Sequence, residues 1–170
     1  MATASCVIEI PVSADQVWQL VGGFNSLPDW LPLIVKSEPG EGGRVRHLET
    51  ADGGVVVERL QTFDNVGRTY SYTIEASPFP VSAYLATLRV EALTESSAKV
   101  TWSGVFTPAA GTTEAAVEAT AVASRVDTGA STTATTATMV TAMTMTGLNV
   151  CDVSTEEKER PSNRMHATIK

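Results

Sequence analysis

Three side chains in the middle of the chain could take part in acid–base chemistry: the carboxylate of Glu58 and the phenols of Tyr72 and Tyr84. General acid–base catalysis needs two titratable groups with separated pKa values that face one substrate. Glu58 with either tyrosine would suit proton abstraction next to a carbonyl, the step that an aldol-type cyclisation requires. The sequence contains no nucleophile elbow, no Ser/His/Asp set, no glycine-rich phosphate loop and no metal-binding motif. Glu58 is therefore the candidate catalytic residue if there is one, and whether the chain is an enzyme stays open.

Strand alternation predicts which residues share a face with these side chains. Because successive residues of a strand point to opposite faces, Glu58 is expected to share its face with Val56 and Leu60. The same rule groups positions on three other strands: Arg44, Arg46 and Leu48; Tyr70, Tyr72 and Ile74; Tyr84, Ala86 and Leu88. Each group mixes large apolar side chains with one or two polar heads.

Inward-facing polar groups, Arg46 among them, predict a hollow rather than a sealed core. An unpaired buried charge costs several kcal/mol, so a solid hydrocarbon core would not tolerate it. A wet or ligand-filled cavity would. Two simpler interpretations stay open: Arg46 and Glu58 pair with each other across neighbouring strands, and Tyr72 and Tyr84 are ordinary core residues.

A helix with clear start signals precedes these strands. In "SADQVWQLVGGF", Ser13 is placed to cap the helix, and Gln16 completes a capping box. Trp18 lies on or beside the apolar face of this helix and is expected in the core. A short second helical turn follows in "NSLPDWLPLI", which two prolines bound. Trp30 in that turn is either a plug on the sheet or part of a pocket wall.

Strands joined by short turns follow the helices. "GRVRHLET" and "GVVVERLQTF" are separated by a turn at residues 51–54, and "TYSYTIEA", "VSAYLATLRVEAL" and "AKVTWSGVFTP" come next. Together with "SCVIEIPV" they predict an α+β fold, a curved antiparallel sheet of six to seven strands with two short helices and a C-terminal helix at residues 112–126. A curved sheet with a helix across its mouth encloses a space suited to a small apolar molecule.

Charge and composition narrow the range of partners. The net charge of −7 disfavours nucleic acid and anionic membrane surfaces, since both demand a basic patch. No apolar run approaches the roughly 18–20 residues of a membrane helix, and the start of the chain lacks the features of a signal peptide. Cys6 and Cys151 are expected to be free thiols in a cytoplasmic protein. We expect no metal and no cofactor, and a monomer or a homodimer.

Five segments resemble the START/Bet v 1-like (SRPBCC) superfamily, and most closely its bacterial polyketide cyclase/dehydrase-like branch. The segments are "VWQLVGGFNSLPDWLPLI", "GGRVRHL", "ADGGVVVERL", "RTYSYTI" and "PFPVSAYLATLRV". The spacing of "ERL", "YTI", "P-V-x-x-Y" and "VTW" carries the likeness as much as the letters do. The plant abscisic-acid receptors are more distantly similar. The resemblance implies a helix-grip fold around an internal cavity.

In the receptors, two loops close over the ligand. The resemblance places one of them at residues 51–54 and the other at the apolar corner Pro78-Phe79-Pro80 and Val81. Proline stiffens such a corner by removing chain entropy. Phe79 and Val81 are therefore expected to form an apolar lip at the mouth of the pocket.

The resemblance also implies roles for single residues. The receptors pair a lysine with the carboxylate of their ligand, and Lys36 falls at that place. Glu58 matches a glutamate that helps to hold water around the ligand, and Tyr72 and Tyr84 match two rings of the pocket. A serine of the receptors' polar network is Ala86 here, so the receptors' own ligand should not be assumed.

The C-terminal part departs from the superfamily pattern. Residues 111–147 are mostly Ala, Thr, Ser and Val, and all aromatic residues lie between Trp18 and Phe106. The superfamily's last helix has leucine, isoleucine and aromatic residues on its inner face, whereas residues 112–126 offer only small ones. Either this end has diverged, or the reading frame has slipped near residue 113, which translating the gene in its other two frames would test.

These observations divide the chain into two parts. Residues 1–128 are predicted to form the helix-grip domain, and residues 129–170 a low-complexity, polar and poorly ordered tail.

The leading functional prediction is binding of a small, mostly apolar ligand in a cavity between the sheet and the C-terminal helix. One alternative is a polyketide cyclase or dehydratase that acts in the same cavity with Glu58 as its base. Another is a non-catalytic module that binds a partner protein. The predicted ligand-binding residues are Trp30, Lys36, Arg46, Glu58, Tyr72, Phe79, Val81, Tyr84 and Trp102.

Overall fold

The computed structural model describes residues 1–109 and, for the backbone, residues 150–155. Within these ranges the chain forms one sheet of eight strands, two α-helices and a short 3-10 helix, Glu41–Gly43. The α-helices are α1 (Ala14–Val21) and α2 (Leu27–Trp30). The strands are β1 (Ala2–Ile10), β2 (Ile34–Gly40), β3 (Val45–Thr50), β4 (Val55–Asp64), β5 (Thr69–Ala76), β6 (Val81–Thr94), β7 (Ser97–Pro108) and β8 (Val150–Thr155).

The sheet is antiparallel between all neighbouring strands and has the order β2-β3-β4-β5-β6-β7-β1-β8. Strands β2 to β7 follow one another along the chain, as the run of short turns predicts. Together with α1 and α2, this curved sheet confirms the predicted helix-grip α+β fold. The predicted helix at residues 112–126 lies outside the described residues.

Strand β8 falls within residues 129–170, the range predicted to be a polar tail, and pairs with β1. The register places Cys151 opposite Cys6, and Cys6 is disulfide-bonded. The prediction of a free thiol at Cys6 is therefore wrong. The sequence-based argument considered only how far apart the two cysteines lie along the chain, whereas strand pairing between distant segments brings their backbones together. The division of the chain into a domain and a tail stays a prediction.

Helix α1 begins where its capping signals predict. The backbone N–H of Gln16 donates to Oγ of Ser13 at 3.4 Å, and the Ser13 hydroxyl donates to Oε1 of Gln16 at 2.9 Å. Its buried face includes Val17 and Trp18, which confirms Trp18 as a core residue. The Trp18 indole donates to Oδ1 of Asn65 at 2.8 Å, so its polar atom has a partner despite its burial.

Aromatic rings fill the end of the concave face that lies under α1. The Trp18 and Tyr70 rings are 6.1 Å apart, and Phe24 lies 5.9 Å from Tyr70 and 6.2 Å from Tyr72. Ring pairs at these distances each add about 0.5–1.5 kcal/mol beyond the area that they bury. The helix and these rings close one end of the concave face, and the candidate site lies toward α2. Neither described helix has the length and hydrophobicity that crossing a lipid bilayer requires.

Candidate functional site

A pocket of about 560 Å³, a volume that includes space open to solvent, lies between the concave face of the sheet and the segment containing α2. We call it the central pocket. Its apolar lining comes from α2, the residues after it and the sheet: Leu27, Leu31, Leu33, Ile34, Leu48, Val56, Ile74 and Phe79. Its lining residues with polar atoms are Thr50, Glu58, Tyr72, Tyr84 and Trp102.

Arg46 and Glu58 form a buried ion pair in which Glu58 lines the pocket and Arg46 lies behind the pocket wall. They are direct cross-strand neighbours on β3 and β4. Nε of Arg46 donates to Oε2 of Glu58 at 2.6 Å, and Nη2 also lies 2.6 Å from that oxygen, in ionic contact without a hydrogen bond. Arg46 is fully buried and Glu58 is 6% exposed. This contact confirms the interpretation that Arg46 and Glu58 pair with each other across neighbouring strands.

The guanidinium of Arg46 is further held by the Phe24 carbonyl and by two aromatic rings. Nη1 donates to the backbone carbonyl of Phe24. The guanidinium carbon lies 4.2 Å from the centre of the Phe24 ring and 4.8 Å from that of Tyr72, so it has an aromatic contact with each. Arg46 is thus committed to its protein partners and is not part of the pocket lining.

Burial and the ion pair act in opposite directions on the two charges. Burial raises the pKa of Glu58, and the neighbouring guanidinium opposes that rise. Burial works against the charge of Arg46, but the Glu58 carboxylate together with the Tyr70 and Tyr72 phenols outweighs it, and the pKa of Arg46 is raised. Because an arginine stays protonated, we treat Glu58 as a carboxylate near neutral pH. Its second oxygen, Oε1, has no hydrogen-bond partner among the described residues.

Two phenols stand at the same polar end of the central pocket. Oη of Tyr72 accepts a hydrogen bond from the Trp102 indole at 3.0 Å. Burial and then the charge of Glu58 raise the pKa of Tyr72 well above 10. The same two causes, in the same order, raise the pKa of Tyr84 to about 12. Both tyrosines are therefore neutral near pH 7 and able to donate a hydrogen bond.

A β-bulge sets the direction of Tyr84. The pairing of β6 with β7 shifts between Ser82 and Leu85, and Ala83 has a positive φ of 50°. The extra residue shifts the alternation of side chains by one position after the bulge. Val81 and Tyr84 therefore both pack against the inner cluster around Phe106. In an unbroken strand, these two residues would lie on opposite faces.

Gly104 makes room for the Tyr84 ring. A Cβ atom at residue 104 would lie 2.9 Å from Oη and 3.1 Å from Cζ of Tyr84. We expect Gly104→Ala to displace this ring and to lower the free energy of unfolding by about 1–3 kcal/mol, the usual cost of overpacking. Urea denaturation of the two proteins measures the difference, and Gly104→Ala combined with Tyr84→Ala should lose less than the sum of the two single variants. Additive losses would show that the ring is not what the new methyl group meets.

Two turns lie together at the mouth of the central pocket. In the turn between β3 and β4, the Thr50 amide and hydroxyl donate to the carbonyl of Gly54 at 2.9 and 3.0 Å. A Cβ atom at residue 54 would lie 3.8 Å from Cγ of Pro78, so this turn adjoins the proline corner. Within that corner, Phe79 is half-buried and lines the pocket. The corner is apolar because one of its side chains belongs to the pocket wall.

The structure brings five of the predicted site residues together in the pocket wall: Glu58, Tyr72, Phe79, Tyr84 and Trp102. Four others lie elsewhere. Arg46 is behind the wall, and Trp30 is buried against Trp102 at a ring distance of 5.8 Å. Val81 packs in the Phe106 cluster. Lys36 is exposed and pairs with Glu38 at 2.9 Å.

Sequence reasoning missed the apolar lining that α2 and the residues after it contribute. Leu27 and Leu31 line the pocket from α2 and its C-terminal end, and both are buried. They are four residues apart and therefore share one side of a helix. That spacing within "NSLPDWLPLI" is the signal that could have identified them. Leu33 lies in the turn after α2 and Ile34 begins β2, so the helical spacing does not extend to them.

An open pocket between a curved antiparallel sheet and short helices is the arrangement of a helix-grip fold. The chain belongs to the polyketide cyclase/dehydrase and lipid transport family, whose sequence profile matches residues 1–150. No curated protein matches the chain.

Several solved structures are similar to this chain. An uncharacterised protein from Bacillus thuringiensis is 47% identical, with a TM-score of 0.69 over 71% of this chain and 89% of that one. The protein XoxI from Bacillus cereus is 42% identical, with a TM-score of 0.70 over 85% of this chain and 94% of that one. The ZhuI aromatase/cyclase from Streptomyces sp. R1128 is 16% identical, with a TM-score of 0.62 over 84% of this chain and 92% of that one, and supports the fold alone.

Proposed function

We propose that this protein binds a small, mostly apolar molecule in the central pocket. The observation that carries the proposal is one polar end, with Glu58 and Tyr84, in a pocket whose other walls are leucine, isoleucine, valine and phenylalanine side chains. Apolar walls supply affinity through burial, and a few polar groups fix the orientation of a ligand. Membership of a family described as polyketide cyclase, dehydrase and lipid transport supports the same function.

A fluorescent apolar probe tests the proposal directly. N-phenyl-1-naphthylamine is expected to bind with enhanced emission and to raise the melting temperature, since a ligand that binds only the folded state stabilises it. Phe79→Ala should lower the affinity for the probe about tenfold, because it removes part of the apolar wall.

Lys36→Ala is the matched control on the outer surface. Lys36 is exposed and paired with Glu38, so its removal should change the affinity less than about twofold. Native mass spectrometry of freshly purified protein looks for a small molecule that co-purifies. Absence of probe binding together with no thermal shift and no co-purifying molecule would contradict the proposed function.

A second candidate function is a cyclase or dehydratase that acts in the same pocket. The observation in its favour is Oε1 of Glu58, a carboxylate oxygen with no hydrogen-bond partner among the described residues, in the same pocket as the Tyr84 phenol. Such a pair suits proton abstraction next to a carbonyl. Glu58→Gln separates the candidates, because an enzyme would lose turnover whereas a binding protein would change only its affinity.

A further inference from the structure

We propose that the central pocket selects apolar molecules that carry a neutral hydroxyl group and rejects carboxylates. This inference rests on the proposed function and adds the chemical class of the ligand's polar end. Within the described part of the chain, Glu58 is the one charged side chain that lines the pocket. It is 6% exposed, and its free oxygen, Oε1, is an acceptor that faces the pocket and can take a hydrogen bond from a ligand donor.

No positive charge in the described residues is available to an anionic ligand in this pocket. Arg46 lies behind the pocket wall, where its Nε donates to Glu58 and its Nη1 donates to the Phe24 carbonyl. Lys36, which the resemblance assigned to a ligand carboxylate, points to solvent and pairs with Glu38. A carboxylate at the polar end would therefore lose its water and meet the negative charge of Glu58 without compensation.

A hydroxyl group fits the remaining polar atoms. The Tyr72 oxygen already accepts the Trp102 N–H, whereas the Tyr84 hydroxyl has no hydrogen bond within the described residues. A ligand hydroxyl can donate to Oε1 of Glu58, and Tyr84 offers the same pocket a hydrogen-bond donor. Glu58 on β4 and Tyr84 on β6 both line the central pocket, with β5 between their strands. Hydrogen bonds to a charged acceptor are also the stronger kind.

A naphthalene series tests this inference with ligands of one shape. Displacement of N-phenyl-1-naphthylamine near neutral pH measures the affinity of each compound. We expect 2-naphthol to bind about tenfold more tightly than naphthalene, which corresponds to about 1.4 kcal/mol. 2-Methoxynaphthalene has the oxygen but no donor and should gain little over naphthalene. 2-Naphthoate should bind more weakly than naphthalene. A methoxy compound equal to naphthol, or a naphthoate tighter than naphthalene, would overturn the inference, and the ligand series needs no variant protein.

A double variant assigns the selectivity to Glu58. Arg46→Met with Glu58→Leu removes the acceptor without leaving a buried charge unpaired, and circular dichroism checks that it folds. In this protein the naphthol advantage should fall to within about twofold of naphthalene, while naphthalene itself still binds. Persistence of the tenfold advantage would overturn the role of Glu58.

Two failures remain distinguishable. Binding of naphthalene without any preference for naphthol overturns the inference and leaves the proposed function standing. Failure of both naphthalene and N-phenyl-1-naphthylamine to bind removes the proposed function, and the inference with it.

Discussion

Arg46→Met is expected to lower the free energy of unfolding by about 3–5 kcal/mol, the usual result of breaking a buried ion pair from one side. The substitution leaves the carboxylate of Glu58, only 6% exposed, without its counterion. It also removes the donor to the Phe24 carbonyl and the charge beside the Phe24 and Tyr72 rings. Methionine retains most of the apolar volume, so the loss reflects electrostatics rather than a cavity. Urea denaturation monitored by circular dichroism measures the change, since the midpoint shifts while the slope stays constant.

Arg59 offers a matched control on the neighbouring strand, β4. It bridges Glu41 and Glu75, and its side chain is 32% exposed, so solvent screens both contacts. Arg59→Met should cost only a small fraction of the Arg46→Met loss. The double variant Arg46→Met with Glu58→Leu should regain much of the stability, because no buried charge is then left unpaired. Equal losses for Arg46→Met and Arg59→Met would contradict the account of the buried pair.

The parts of the fold that depend on local sequence were predictable. Ser13 and Gln16 mark the start of α1, since capping involves residues only three positions apart. The turn at residues 51–54 joins β3 to β4 and fixes their register, which made a pair between Arg46 and Glu58 foreseeable. Such signals need no knowledge of the distant chain.

Two β-bulges explain why strand alternation did not predict the direction of every site residue. The register of β2 with β3 shifts between Ile34 and Lys36, so Lys36 lies opposite the exposed Glu49 instead of sharing the inner face with Ile34. Unbroken alternation would have turned Lys36 inward. The second bulge, at Ala83, has the reverse effect and brings Val81 and Tyr84 to the same side. Neither Val35 nor Ala83 is a residue type that signals a bulge, because the extra residue is set by pairing with neighbouring strands.

Disulfide pairing and the apolar wall needed long-range information as well. Cys6 lies opposite Cys151 only because β8 adds to β1 at the edge of the sheet. The spacing of Leu27 and Leu31 indicates that they share one side of α2, but which surface that side covers depends on how α2 packs on the sheet. Local alternation thus identified the polar end of the pocket, on the strands, better than its apolar cover.

A substitution that fills the pocket should lower the affinity for a ligand at least tenfold and leave the protein folded. Val56 lies on β4, is 3% exposed and lines the central pocket. Val56→Phe adds a ring to the volume that a ligand would occupy, so the affinity for N-phenyl-1-naphthylamine is expected to fall by a factor of ten or more, about 1.4 kcal/mol at least. Because the ring enters existing space, the loss of stability should stay below the about 1–3 kcal/mol that overpacking a solid core costs. Fluorescence titration and urea denaturation of the same samples separate the two effects.

Val55→Phe is the control for this prediction, since it places the same ring on the adjacent residue of the same strand. Val55 is 59% exposed and faces away from the central pocket, so its substitution should leave the probe affinity within about twofold of the parent protein. The contrast between neighbouring residues on opposite faces isolates the pocket from general effects of adding an aromatic ring to β4. If both variants bound the probe as the parent does, the probe would occupy some other part of the protein. If both lost it while remaining folded, the ring's effect on the strand, rather than occupation of the pocket, would explain the result.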